Sequence, residues 1–142
     1  MNVGDVMTAN VAAVGGDATL KQVAELMADR GISGVPVVDA EGHVLGVVSE
    51  ADIVIKAASH PERAGVFWRL FAPEGLDLKR LEAGTAAEAM TAPAVTVRAN
   101  QSVAEAARIM VDAGVKRLPV VADGKLAGIV SRGDIVRAFT RS

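Results

Sequence analysis

A chain of 142 residues is sized for one compact domain or two small halves, and its 51% hydrophobic content and mean hydropathy of +0.33 argue against disorder. Its apolar runs fall far short of the roughly 20 residues that cross a bilayer. MNVGDVMTAN lacks the basic and apolar segments of a signal peptide, and the absence of cysteine excludes disulfides, thiolate zinc sites and cysteine catalysis.

A cytoplasmic protein without membrane insertion is therefore expected. The net charge of −2 is unevenly spread: residues 1–54 carry two Lys/Arg against eight acids, and residues 88–142 carry eight against five. No basic block interleaves with aromatics, so a nucleic-acid partner is not expected. A small anion held by basic residues of the second half stays open.

In chain order, Val11–Val14 reads as a short strand. Leu20, Val23, Ala24 and Met27 then recur at helical spacing, with Thr19 as N-cap and Gly31 where a left-handed C-terminal residue belongs. Val35-Pro36-Val37-Val38 is a second strand, its proline suiting a first residue or an edge. A tight turn at Glu41-Gly42 leads to a strand Val44–Val48, then to Ser49-x-x-Asp52 and a helix Asp52–Ala58. His43 and His60 have no evident convergent partners and read as surface residues, and no metal site is expected. The five methionines read as packing.

Residues 58–87 form a connector. Val66, Phe67, Leu70 and Phe71 fall on one face of an expected helix stopped by Pro73 and Gly75, and Trp68 beside them is a candidate dimer contact. The stripe suits a helix laid over the core, or an amphipathic element facing a partner.

The chain then repeats itself. Residues 5–38 align with 88–121 at 11 identities in 34 positions, and residues 42–54 align with 124–136 at 7 in 13. The second copy supplies a strand Ala94–Val97 and a helix with Val103, Ala106, Ala107 and Met110. Ser102 and Glu105 match a capping box, and Gly114 matches Gly31. Strands Leu118–Val121 and Leu126–Val130 flank Asp123-Gly124 and lead to Ser131-x-x-Asp134 and a helix Asp134–Thr140. The unit is β-α-β-β-α. A unit of about 50 residues buries little alone, so two are expected to share one core as a pseudo-twofold pair.

This ordered set, occurring twice, resembles a tandem pair of CBS domains: repeat 1 over 1–57, the connector over 58–87 and repeat 2 over 88–142. The resemblance implies an α+β fold of two pseudo-twofold-related repeats packed through their sheets. It also implies a regulatory module, not an enzyme, that binds AMP, ADP, ATP, NAD or S-adenosylmethionine in clefts between repeats. No catalytic cofactor is implied; the adenine nucleotide is the regulatory ligand. A homodimer and an effector protein are the expected partners, and a regulatory piece of a larger enzyme or transporter is a further possibility.

Asp52 and Asp134 match the ribose-binding acid, and Ser49 and Ser131 the adjoining hydroxyl. Ile32–Val35 with Pro36, and Val115–Leu118 with Pro119, match the segment that receives adenine. Val11, Ala12 and Ala13, and Val95, Thr96 and Val97, match the opposite wall. Thr8 and Thr91 stand at the start of each repeat.

A carboxylate can accept from both ribose hydroxyls, and free N–H groups at a helix start favour phosphate. The same Ser-x-x-acid spacing also makes a helix cap, although Asp is short for that role. Gly46 and Gly128, which a cap does not need, would let a ligand approach the strand. Lys116, Arg117 and Arg132 of the second repeat replace Ser33, Gly34 and Glu50 of the first. Stronger phosphate contacts are expected from the second repeat.

Overall fold

The computed structural model describes residues 1–57 and 78–141. The expected connector stripe, with Trp68 and His60, lies outside them. The first repeat contains α1 (Val3–Val6), β1 (Thr8–Ala9), β2 (Val14–Gly15), α2 (Leu20–Arg30), β3 (Gly34–Val38), β4 (Val44–Ser49) and α3 (Glu50–Ala57). After α4 (Leu78–Ala83), the second contains α5 (Ala86–Ala89), β5 (Val97–Arg98), α6 (Val103–Ala113), β6 (Arg117–Ala122), β7 (Lys125–Ser131) and α7 (Arg132–Thr140). The fold is mixed α+β with two sheets, ordered β1-β7-β6-β5 and β2-β3-β4.

The helix ends follow the sequence. Thr19 and Ser102 accept from the N–H groups of Gln22 and Glu105, and Gly31 and Gly114 take φ of 63° and 67°. Thr19 and Gln22 close a full box. Ser102 and Glu105 form only half of the expected one, and Glu105 Oε2 accepts instead from Gln101 Nε2 at 2.9 Å. The leading strands are shorter and later than expected: β5 pairs with β6 only at Val97 and Arg98, so Ala94–Thr96 stay outside the ladder.

The chain forms two compact units that exchange their leading segments. Met1–Ala12 belongs to unit 1 with Val38–Leu45 and Ala92–Ser142, while Ala13–Val37 and Gly46–Thr91 form unit 2. In unit 1, Val3 and Gly4 donate N–H to the carbonyls of Gln101 and Ala99 at 2.8 and 2.9 Å. Ala86 and Ala87 do the same to Ala18 and Gly16 in unit 2, at 2.8 and 2.9 Å. Thr8 pairs with Ile129, and Thr91 with Val47.

Instead of the shared core expected from repeat size, each unit has its own apolar cluster. Val3, fully buried, joins Val97, Leu118, Val120 and Val130 in unit 1; Ala86 joins Leu20, Val35, Val37 and Val48 in unit 2. The borrowed segment supplies surface that a lone repeat lacks.

Candidate nucleotide site

In unit 1, β6 and β7 pair antiparallel with Arg117 opposite Ser131, and β7 runs directly into α7. Ser131 is extended at φ −109°, ψ 167°. That conformation aims its N–H at Asp134 Oδ2 (2.8 Å), while Asp134 N–H donates to Ser131 Oγ (3.2 Å). Arg132 N–H donates to the Lys116 carbonyl at 3.0 Å. The backbones of Lys116, Arg117, Ser131, Arg132 and Asp134 thus meet at one end of the hairpin.

Unit 2 repeats the pattern. Ser49 N–H donates to Asp52 Oδ2 (2.8 Å), as does Ser49 Oγ (3.0 Å), and Glu50 N–H donates to the Ser33 carbonyl (3.0 Å).

Aspartate is long enough to cap, because the extended serine backbone brings its N–H to the carboxylate; the motif is a closed box in α7. The repeated glycines answer to the exchanged segments instead of to a ligand. A Cβ on Gly128 would lie 2.5 Å from Thr8 O and 2.8 Å from Met7 Sδ, and one on Gly46 would lie 2.7 Å from both Thr91 O and Met90 Sδ.

Sequence reasoning also missed Arg137, one turn beyond Asp134. Its guanidinium pairs with Asp134 Oδ1, joining a 61% exposed side chain to one 9% exposed. The i,i+3 spacing on a helix was the available signal. Ile55 stands at this position in the first repeat, so the two motifs differ in charge.

The remaining residues divide by accessibility. Val35, Pro36, Leu118 and Pro119 are fully enclosed, backbone and side chain alike. Ile32 and Val115 are half-buried. Val11 and Ala12 fall in unit 1, together with Val95 and Thr96, and all four are accessible.

His43 is less isolated than expected. Its Nδ1 lies 3.0 Å from Asp39 Oδ2, and Asp39, Glu41 and His43 bring ligand-type atoms within 4.8 Å of one another. Asp39 Oδ1 also accepts from the N–H groups of Glu41 (3.0 Å) and His43 (2.9 Å), so the turn itself gathers these groups. The His43 N–H leads the contacts that hold the Asp39 carboxyl below its usual range. Among the described residues, no helix is long and apolar enough to cross a membrane.

The CBS-domain sequence profile matches residues 3–59 and 86–141. The chain belongs to the CBS-domain family. The crystal structure of CBSX2 from Arabidopsis thaliana in complex with AMP is 32% identical with a TM-score of 0.75, covering 99% of this chain and 96% of that one. Hypoxic Response Protein I, whose crystal structure has two coordinated zinc ions, is 30% identical with a TM-score of 0.75, over 96% and 98% of the chains. An uncharacterized protein of Methanocaldococcus jannaschii is 34% identical over 87% of this chain and 82% of its own length. Against full-length, chloroplastic CBSX2 the chain spans 62% of the relative.

Proposed function

We propose that this CBS pair is a non-catalytic sensor of adenosine nucleotides, with AMP foremost, whose occupancy biases a cytoplasmic homodimer read by an effector protein. One observation carries the reading: in both units Ser-x-x-Asp lies at a helix start, hydrogen-bonded to the segment preceding the strand proline. There a carboxylate suits ribose hydroxyls. The AMP complex of CBSX2 supports the ligand class. Lys116, Arg117 and Arg132 make the second repeat the better phosphate partner, against Ser33, Gly34 and Glu50 in the first.

A second reading, a ligand-free scaffold, is favoured by the carboxylates already engaged by Ser49, Ser131 and Arg137. Thermal-shift titration separates the two. A ligand at about 100 times its Kd adds about 2.7 kcal/mol to stability. AMP, ADP or ATP should raise the melting temperature. If none of these, NAD or S-adenosylmethionine does so at saturation, the scaffold stands. Incubation with ATP and Mg²⁺ should return the nucleotide unchanged; product formation would overturn the non-catalytic assignment.

A further inference from the structure

The two motifs share their serine and aspartate and differ in what lies over the aspartate. Asp134 is the one charged side chain that is buried among the described residues. Its Oδ2 accepts from the Ser131 N–H, and its Oδ1 accepts from Nη2 of Arg137, which reaches back one turn from the exposed face of α7. Gly133 leaves room for that reach. A Cβ there would crowd Arg137 Nη1 at 3.3 Å and would lie 3.7 Å from Ser131 Oγ, so the guanidinium crosses the first turn of α7 on the side of the serine hydroxyl. In the first repeat Ala51 and Ile55 stand at these two places. Ile55 brings no charge to Asp52, which is half-buried.

That difference sets what each motif can exchange for its present contacts. Burial makes the Asp134 charge dependent on its cation, because a buried charge stripped of its partner is costly. Ribose hydroxyls are neutral donors, so they replace the hydrogen bond of Arg137 without replacing its charge. A phosphate on the same ligand alters the exchange. It gives the displaced guanidinium an anion whose geometry suits a bidentate pair. Asp52 is more open to water and gives up no contact with an arginine at this position when it accepts a ribose.

We propose that Arg137 is the specificity-determining residue of the second motif, a latch on Asp134 that a nucleoside phosphate releases and an uncharged nucleoside does not. This rests on the nucleotide reading above and adds a division of labour. The second motif selects for phosphate, and the first accepts the nucleoside moiety with or without it.

Calorimetric titration with AMP and with adenosine tests it. In an Asp52→Asn chain, which leaves the second motif the stronger one, AMP should bind at least about tenfold tighter than adenosine. Adding Arg137→Ile should strengthen adenosine and weaken AMP, bringing the two within about threefold of each other. An adenosine affinity unmoved by Arg137→Ile, or a preference for AMP that survives it, overturns the latch. Because Arg137→Ile also strips a buried carboxylate of its partner, a change that costs stability, a transplant supplies the second measurement. An Asp134→Asn chain should bind both ligands alike. Adding Ala51→Gly and Ile55→Arg, at two exposed positions of α3, should make it prefer AMP by about tenfold. A transplant that leaves the two ligands equal overturns the proposal. An Asp52→Asn chain that binds AMP and adenosine equally overturns the latch and leaves nucleotide sensing standing, whereas a wild-type chain that binds neither overturns both.

Discussion

Asp52 and Asp134 each hold the start of a helix, and in the proposed reading each also binds ribose, so a substitution has to separate the two roles. Asn keeps an oxygen for the serine N–H but loses the charge that strengthens bonds to ribose hydroxyls. Asp52→Asn and Asp134→Asn should therefore lower AMP affinity by about tenfold each by calorimetry, with the melting temperature changing little. An unchanged affinity would assign the motif to capping alone. The glycines three residues before each serine make a different case. Gly128→Ala places a Cβ 2.5 Å from a backbone carbonyl held by strand pairing, which cannot swing aside as a side chain would. Overpacking of this sort costs about 1–3 kcal/mol. Urea denaturation should show that loss without any need for nucleotide, which distinguishes these positions from ligand residues.

Among the elements, α2 and α6 were legible in the sequence to their caps, because their apolar spacing and their Thr/Ser and Gly ends are local signals. The four-residue helices α1 and α5 were not, being too short to show a period. Both begin with a capping box, Asn2 with Asp5 and Thr85 with Glu88. Thr85 hydroxyl and N–H donate to the Glu88 carboxylate and hold it below its ordinary range. The turn after β3 is tied in the same way by Asp39, whose folded pKa lies below its unfolded value of about 3.9. Its contribution to stability is fully present above that unfolded value and disappears as pH falls through the lower folded one. The stability difference between wild type and Asp39→Ala should therefore shrink as pH falls below about 4. Chemical denaturation at successive pH values checks this, and a difference that grows with acid would contradict the assigned sign.

For the molecule as a whole, the duplication and the α+β order within each repeat were written in the sequence, and the pairing of segments was not. Alignment places Val3 in the first repeat; hydrogen bonds and burial place it in the core of the second. Nothing local distinguishes those alternatives, because Val3-Gly4 and Ala86-Ala87 can make the same bonds to either copy of the strand-to-helix loop. The exchange explains the glycines that a reading confined to one repeat assigned to a ligand. It also predicts that a sequence repeat is not a folding unit. Residues 88–142 alone lack Val3 and the β1 partner of β7, leaving apolar core surface and a strand edge uncovered. That fragment should show little cooperative unfolding by circular dichroism. Supplying residues 1–12 as a peptide in excess should restore it. The same peptide with Val3→Ala should do so far less well, since emptying a fully buried valine site costs about 2 kcal/mol in lost transfer energy and cavity. Cooperative folding of residues 88–142 without the peptide would show that the borrowed segment completes the sheet without being needed for the core.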